Sequence, residues 1–308
     1  MTLKRSWVET ANSAETDFPL NNLPYGVFSN GGAPRCGVAI GDQILDMAAM
    51  ETEGLLDFDG ALQKPAWNAF MEQGRAAWAR LRQSLTDMLA EGSAARDQLA
   101  PLLVPMAGVQ MHMPFTVTEF TDFYASRNHA TNVGTMFRGA ENALPPNWLH
   151  IPIGYNGRAS SVVVDGTDIR RPYGQLKGPN DPLPRFAPSA RFDFELEMGA
   201  IVGIPSDAPI SVDEAFANIF GYVILNDWSA RDIQAWEYQP LGPFQAKATA
   251  TSISPWIVTA AALEPFRRPA PEREFALLPH IADTAPMLYD IELEVGLTPE
   301  GKSETVIA

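Results

Sequence analysis

Proline and glycine recur along the whole chain, and this feature constrains its fold most strongly. The 308 residues include 26 prolines and 23 glycines. Proline breaks helices and cannot donate a hydrogen bond to a strand ladder, and glycine weakens the interior of either element. Long helices are therefore expected to be few and turns many. This composition favours a mainly β fold of short strands with some helix, an α+β protein.

Charge and cysteine content exclude several classes of protein. The 22 basic and 37 acidic residues give a net charge of −15, and such a surface repels nucleic acid and anionic lipid at long range. An anionic small molecule needs only a local cluster of basic groups. Cys36 is the single cysteine, which excludes an intrachain disulfide, a thiolate zinc site and an iron–sulfur cluster. A reducing compartment, the cytoplasm, is expected.

The amino terminus and the remaining hydropathy pattern point away from membranes. No apolar stretch follows the two basic residues near the start, which argues against a secretory signal. No segment approaches the length of a membrane span. We therefore expect neither a membrane nor a nucleic acid as a partner.

The length of the chain favours two domains. Apolar residues alternate on both sides of Gly41-Asp42, a pattern that predicts a β-hairpin. Between residues 64 and 90, apolar residues three or four apart predict an amphipathic helix with a glycine after it. Prolines then interrupt the pattern. We place a boundary between about residues 105 and 118, which gives domains of residues 1–117 and 118–308.

Short strands are predicted in the second domain, over residues 161–164, 192–202, 222–225, 289–297 and 303–308. The last of them ends in mid-strand where the sequence ends. A strand cut there leaves its neighbours with unpaired backbone groups. We therefore expect the 308 residues to be the N-terminal portion of a longer protein, or to need a separate C-terminal piece.

Residues 221–238 run from an apolar strand into a polar segment. Asp227, Arg231, Gln234 and Tyr238 follow one another at spacings of four, three and four, which are helical spacings. If Asp227 caps that helix, the four side chains face one place beside a strand end, as in a binding site. The alternative interpretation is a capped surface helix whose polar residues face solvent.

A second polar pattern lies on the strand predicted over residues 192–202. Strict alternation puts its acidic residues on one face: Asp193, Glu195 and Glu197. The two glutamates are roughly 6.6 Å apart along the strand, and in a pocket they require a proton or a cation. The alternative is a solvated face. The same alternation recurs, without other signs of a site, at Asp290, Glu292 and Glu294.

A third cluster lies just after the predicted boundary. It joins the carboxylate of Asp122 and the imidazole of His129, with Arg138 nine residues further on. A lone histidine is more often structural than catalytic, so the spacing alone leaves both interpretations open. No phosphate-binding glycine motif, Gly-x-Ser-x-Gly motif or His-Glu-x-x-His motif occurs in the chain.

Six segments in the same order closely resemble the fumarylacetoacetase family: residues 122–134, 141–150, 157–161, 195–198, 226–234 and 253–256. Residues 22–28 and 41–46 resemble it as well, so the resemblance extends over nearly the whole chain. It implies a small SH3-like β-barrel followed by a β-roll catalytic domain, in a homodimer. The implied activity is hydrolysis of a carbon–carbon bond of 4-fumarylacetoacetate to fumarate and acetoacetate, the final step of tyrosine and phenylalanine catabolism.

The resemblance also implies residue roles. The calcium ligands would be Asp122, Glu195, Glu197 and Asp227, all hard oxygen donors. A second cation site, for magnesium, would involve Asp227, Lys247 and Thr251. His129 would be the general base. The substrate would be held by Tyr124, Arg138, Gln234 and Tyr238. The oxyanion would be stabilised by Arg231, Gln234 and Lys247.

Two features depart from the family pattern. Asn156 stands where the family usually has a histidine, and the family continues past residue 308 with further strands, a glutamate that orients the histidine and a substrate loop. Little or no activity is therefore expected of the 308 residues alone. Two alternatives remain: a hydrolase or decarboxylase of another acylpyruvate-like diketo acid, and an inactive metal-binding fragment or pseudoenzyme.

Overall fold

The computed structural model describes residues 2–306. Its first part contains five strands: β1 (Tyr25–Ser29), β2 (Arg35–Ile40), β3 (Gln43–Asp46), β4 (Leu103–Pro105) and β5 (Gln110–His112). They form one antiparallel sheet in the order β4-β3-β2-β1-β5. Four helices pack beside it: α1 (Met47–Thr52), α2 (Asn68–Met71), α3 (Arg75–Leu89) and α4 (Arg96–Leu99).

The hairpin predicted at Gly41-Asp42 is confirmed. Ile40 pairs with Gln43 across the two-residue turn between β2 and β3. Gly41 has a φ of 58°, a conformation that glycine adopts without a steric cost. A Cβ atom there would lie 2.2 Å from the Thr10 hydroxyl oxygen. Only glycine therefore allows the turn to pack this closely against the amino-terminal segment.

The single helix predicted over residues 64–90 is wrong in its extent. The structure has two helices, α2 and α3, and Gly74 between them has a left-handed φ of 83°. The predicted amphipathic face is present on α3, where every third or fourth residue is buried: Ala77, Leu81, Leu85 and Leu89. Burial of that face, rather than an unbroken backbone, produces the apolar period.

The second part is built from many short strands: β6 (Thr121–Phe123), β7 (Gly154–Asn156), β8 (Val162–Val164), β9 (Tyr173–Leu176), β10 (Arg185–Pro188), β11 (Phe192–Asp193), β12 (Leu196–Val202), β13 (Ile219–Asp227), β14 (Ser229–Ala230), β15 (Thr251–Ile253), β16 (Val258–Thr259), β17 (Arg267–Arg268), β18 (Leu288–Tyr289), β19 (Gly296–Leu297) and β20 (Thr305–Val306). Its helices are α5 (Arg127–Arg138), α6 (Val212–Ala217), α7 (Arg231–Glu237) and α8 (Ala260–Leu263). The chain thus forms a mixed fold of helices and sheets.

The main sheet of this part has the order β12-β13-β15-β8, and β16 also pairs with β13. All pairs are antiparallel except β15 with β8. Four short two-stranded sheets lie around it within the described residues and matter to the site or the chain end: β6 with β7, β9 with β10, β11 with β14, and β19 with β20.

Two strand predictions need correction. The strand predicted over residues 192–202 is interrupted between β11 and β12, because β11 pairs with β14 while β12 pairs with β13. The strand predicted over residues 289–297 forms only at its ends, in β18 and β19. Residues 290–295 between them form no strand, and the acidic side chains at positions 290, 292 and 294 are exposed. The structure therefore supports the interpretation that these acidic side chains face solvent.

A turn joins β19 to β20, with the Lys302 amide donating to the Pro299 carbonyl at 2.9 Å. Ile307 and Ala308, the end of the predicted last strand, lie outside the described residues. Of the helices in residues 2–306, none is long and apolar enough to cross a membrane.

The main hydrophobic core is shared by both parts of the chain. Trp67 and Phe70 from the first part pack in one cluster with Phe220 and Ile257 from the second. Tyr25 and Ile257 also exchange backbone hydrogen bonds of 2.9 and 2.7 Å. The range predicted for the boundary, about residues 105–118, contains β5 and part of the connection from β5 to β6, and the boundary stays a prediction.

Candidate functional site

Asp122 is presented by the short β6–β7 pair. It lies opposite Tyr155 in the register, and the Tyr155 hydroxyl donates a 2.5 Å hydrogen bond to its carboxylate. Burial and the neighbouring Asp122 charge raise the pKa of Tyr155, so the phenol keeps its proton and remains a donor. The Tyr155 hydroxyl therefore fixes the orientation of the Asp122 carboxylate.

Glu197 and Asp227 come from adjacent strands of the main sheet, β12 and β13. Together with Asp122 they place one oxygen each within 4.8 Å of one another. Burial, followed by the charges of Asp122 and Asp227, raises the pKa of Glu197 to about 9. Burial also raises the pKa of Asp227 to about 7, against the opposing effect of Lys247. Three half-buried or buried carboxyls at this separation require either protons or a cation.

The donor set fits a hard divalent cation. Carboxylate oxygens are the ligands that Ca²⁺ and Mg²⁺ prefer, and the raised pKa of Glu197 reflects a negative cluster whose charge a cation would neutralise. The structure thus assembles three of the four predicted calcium ligands. The fourth, Glu195, lies beside them and is engaged by cationic side chains.

Glu195 is the centre of an ion-pair network. One of its oxygens accepts from the Arg231 Nη1 atom and the other from the Lys247 Nζ atom, each at 2.5 Å. Lys247 also reaches Asp227 at 2.5 Å, and Arg231 donates through Nε to Asp193 at 2.9 Å. Burial alone would raise the pKa of Glu195, but the charges of Lys247 and Arg231 outweigh it and lower this pKa to about 2. Glu195 is therefore an ionised carboxylate between two cations.

Helix α7 carries Arg231 and Gln234 at the predicted helical spacing, and Tyr238 ends it. The prediction that Asp227 caps this helix is wrong. Asp227 is the last residue of β13, the two residues of β14 follow it, and Ala230 occupies the cap position without a side-chain hydrogen bond. Asp227 is fixed instead by its strand pairing with Thr251 on β15. Arg231 and Gln234 lie on one helix and contact each other as their spacing predicts, although the capping argument is incorrect.

His129 lies in the first turn of α5, a helix that the sequence analysis did not predict. The Ser126 side chain accepts a 3.2 Å hydrogen bond from the His129 amide and caps the helix. The imidazole Nε2 atom is 3.5 Å from a Glu195 oxygen. Burial lowers the pKa of His129, and the charges of Arg231 and Lys247 act in the same direction, against Glu195. The ring is therefore neutral at neutral pH and can accept a proton.

Tyr124 and Arg138 lie on the same side of the site as His129. The Tyr124 and His129 rings meet edge to face with their centroids 5.7 Å apart. Burial raises the pKa of Tyr124, and the nearby Arg138 charge opposes this shift. Arg138 donates to the carbonyls of Asn142 and Ala143 at 3.1 and 2.6 Å, so its guanidinium is held at the end of α5.

Tyr238, at the end of α7, contacts Phe137 on α5. Its ring centroid lies 5.7 Å from that of Phe137. Gln234, one helical turn before it, accepts a 3.3 Å hydrogen bond from Arg231. The predicted substrate-binding residues thus lie on or next to helices α5 and α7.

A small cavity borders the acidic cluster and includes Asp122, Asn156, Asp227, Lys247 and Thr251. Thr251, predicted to lie beside the second cation, is buried. Asn156, which replaces the family histidine, lies on β7 opposite Thr121. Burial disfavours the charged Lys247, but Glu195 and Asp227 outweigh it and raise its pKa. The Lys247 side chain therefore stays positively charged where it lines this cavity.

Sequence reasoning gave no role to Tyr155, Asp193 and Glu237. Tyr155 and Asp193 orient Asp122 and Arg231 respectively. For Asp193, the alternation that places it on one strand face with Glu195 was a signal that could have indicated its role. Tyr155 carried none, because its partner is 33 residues away in sequence. Glu237 carried none, because its partners are backbone amides, which any residue type provides.

Two family models match the chain. Residues 21–114 match the description "Fumarylacetoacetase N-terminal" and residues 118–305 match "Fumarylacetoacetate (FAA) hydrolase C-terminal". A fumarylacetoacetase from Bos taurus is 48% identical over 302 residues, which cover 94% of this chain and 72% of the relative. The chain belongs to the fumarylacetoacetase family.

A second sequence relative agrees with this assignment. A fumarylacetoacetase from Arabidopsis thaliana is 45% identical over 322 residues, covering all of this chain and 76% of that protein. A solved structure of a fumarylacetoacetate hydrolase from psychrophilic Exiguobacterium antarcticum is 16% identical with a TM-score of 0.46, over 77% of this chain and 66% of that one. Family membership rests on the sequence matches.

Proposed function

We propose that this chain hydrolyses the carbon–carbon bond of 4-fumarylacetoacetate to fumarate and acetoacetate, the final step of tyrosine and phenylalanine catabolism. One observation carries the proposal: a neutral histidine, His129, lies 3.5 Å from Glu195 within the same cluster as two fixed cations and three converging carboxyls. Its relatives of 45–48% identity carry the name of this activity.

His129 is the general base in this proposal. Its lowered pKa leaves the imidazole neutral, so the ring can accept a proton from water at neutral pH. The water oxygen forms a bond to a substrate carbonyl carbon, and the proton moves to the imidazole. Glu195 then stabilises the imidazolium at short range, because the carboxylate remains ionised.

Arg231, Gln234 and Lys247 are proposed to stabilise the oxyanion that develops on the attacked carbonyl. Both cations are fixed before substrate arrives, since Glu195 and Asp193 hold Arg231 while Glu195 and Asp227 hold Lys247. Preorganised donors of this kind are the main source of rate acceleration in many hydrolases. When the carbon–carbon bond breaks, its electron pair leaves with the acetoacetate portion, which takes a proton.

The proposed substrate contacts are Tyr124, Arg138, Gln234 and Tyr238. Arg138 suits a terminal carboxylate, because a guanidinium presents paired donors to it. The carbonyls of Asn142 and Ala143 hold the Arg138 side chain, so its position is set without the substrate.

The metal ligands are proposed to be Asp122, Glu195, Glu197 and Asp227 for Ca²⁺, with a second site for Mg²⁺ beside Asp227, Lys247 and Thr251. A bound divalent cation supplies charge that polarises a β-diketone and stabilises the departing enolate. Lys247 stays protonated, so it contributes a charge to the second site rather than a lone pair.

The finer architecture and assembly belong to the same proposal. The five-stranded sheet β4-β3-β2-β1-β5 is proposed to be the SH3-like barrel, and the sheets after residue 118 the β-roll, of a homodimer. A cytoplasmic location is supported by the lone, buried Cys36.

A substrate comparison tests the proposed reaction. The wild-type chain is incubated with 4-fumarylacetoacetate and, separately, with acylpyruvates of matched chain length, in the presence of Ca²⁺ or Mg²⁺. The proposal expects preferential cleavage of 4-fumarylacetoacetate. Preferential hydrolysis or decarboxylation of an acylpyruvate would assign the second candidate reaction, and no turnover of either class with metal bound would indicate an inactive metal-binding fragment or pseudoenzyme.

A further inference from the structure

The loop that carries Lys247 is fastened to helix α7 by one carboxylate. Glu237 accepts hydrogen bonds from three successive backbone amides: Phe244 at 2.9 Å, Gln245 at 3.1 Å and Ala246 at 2.7 Å. The side chain is half-buried. None of the roles assigned above to substrate, metal or oxyanion involves this residue.

These three amides begin a helical turn. Lys247 and Ala248 both donate to the Phe244 carbonyl, at 3.2 and 2.8 Å. The first amides of such a turn have no partner within it, and a carboxylate is the strongest acceptor for them. Glu237 therefore caps the turn that ends at the Lys247 side chain, and the cap fixes the direction in which that side chain leaves the backbone.

The geometry points to Glu237 as a positioning residue that holds Lys247 against Glu195 and Asp227 through the backbone of residues 244–246. This inference rests on the role proposed above for Lys247. It links two parts of the site, because the same helix presents Arg231, Gln234 and Tyr238. Relative movement of α7 and the loop would displace Lys247 from the other oxyanion donors.

A matched control exists in the first part of the chain. Glu51 on α1 also accepts from three backbone amides, those of Phe58 at 2.7 Å, Gly60 at 3.2 Å and Leu62 at 3.1 Å. It has the same chemistry and the same division between two oxygens, but its loop carries no site residue. Comparing Glu237→Ala with Glu51→Ala separates a positioning effect from a general loss of stability.

The experiment uses the full chain and measures three quantities. They are Tm, the rate at which an amine-reactive reagent modifies Lys247, followed by mass spectrometry, and kcat with KM for 4-fumarylacetoacetate. In Glu237→Ala we expect Lys247 to be modified at least about tenfold faster. We expect kcat to fall about 10- to 100-fold with little change in KM, since an oxyanion donor supplies roughly 10²- to 10³-fold. Glu237→Gln, which keeps an accepting oxygen, should bring both the Lys247 modification rate and kcat part of the way back to the wild-type values.

Glu51→Ala should lower Tm comparably while leaving Lys247 modification and kcat at wild-type values. Equal Lys247 modification in wild type and Glu237→Ala would overturn the inference, as would a decrease in kcat no larger than that of Glu51→Ala. The modification assay needs no turnover. A wild-type chain without hydrolase activity would therefore contradict the proposed function and still leave the position of Lys247 testable.

Discussion

At the scale of single residues, the protonation of Glu197 links metal binding to pH. Its pKa is raised from 4.5 to about 9 by burial and by neighbouring carboxylates, so the side chain holds a proton at neutral pH. A divalent cation must displace that proton. Cation affinity should therefore rise as pH rises from 4.5 to about 9.

Calorimetric titration of Ca²⁺ at about pH 6 and about pH 8 measures this effect, and buffers of different ionisation enthalpy report the protons released. Without a cation, this same raised pKa favours the fold most at pH values below 4.5, and its contribution is lost as pH rises toward about 9. Glu197→Gln should reduce both pH dependences. Proton release that is equal in the variant and the wild type would contradict the assigned pKa.

Lys247 is the residue whose loss should be most destabilising. Its removal leaves Glu195 and Asp227 buried beside each other without their shared cation, and breaking one side of a buried ion pair costs about 3–5 kcal/mol. We expect Lys247→Gln to lower the free energy of unfolding by this amount in urea titrations, and added Ca²⁺ to restore part of it. Lys302→Gln, at an exposed position, should change it little. Equal stability of the two variants would contradict the network.

His129→Ala should lower kcat by about 10²- to 10⁴-fold, the usual contribution of a general base. The side chain is partly exposed and lies outside the three-carboxyl cluster, so calorimetry should show unchanged metal affinity. His150→Ala removes an exposed histidine that stacks on Phe275 and should leave kcat unchanged. Wild-type turnover by a contamination-free His129→Ala sample would remove this residue from the mechanism.

At the scale of elements, helix α5 carries both His129 and Arg138, and its first turn depends on one cap. Ser126→Ala removes the acceptor for the His129 amide, a loss of about 0.5–2 kcal/mol in helix stability. Hydrogen exchange at residues 128–130 should accelerate and kcat should fall severalfold. Ser211→Ala removes the equivalent cap of α6, which carries no site residue, and should leave kcat unchanged. Unchanged exchange in Ser126→Ala would show that the cap is dispensable.

Local patterns in the sequence predicted elements whose contacts are local. The β2–β3 hairpin depends on a turn of two residues, and the apolar face of α3 depends on a period within one helix. Helix α5 was missed because the residues that it buries, Ala130 and Gly134, are small and do not stand out as an apolar stripe. The break between β11 and β12 was missed because it is set by different partner strands, which alternation alone does not reveal.

At the scale of the whole molecule, the site joins elements that are far apart in sequence. Asp122 on β6, Glu195 before β12 and Lys247 after α7 meet only through the folded sheets. The pairing of Glu195 with two cations depends on this long-range packing, so no spacing rule could reveal it. The resemblance identified these residues by their positions in the sequence, and the structure shows the contacts that bring them together.

The most direct test of the account follows both products of the reaction with and without metal. Wild-type chain is freed of divalent cations by a chelator, dialysed, and mixed with 4-fumarylacetoacetate, and fumarate and acetoacetate are quantified by NMR before and after Ca²⁺ or Mg²⁺ is returned. The account predicts equal amounts of both products, formed only after the metal is returned, and this departs from the low activity expected from the sequence. Asp290→Asn should behave as wild type, whereas Asp122→Asn should require much more metal. Intact substrate in the metal-loaded wild type, or cleavage at full rate after chelation, would contradict the account.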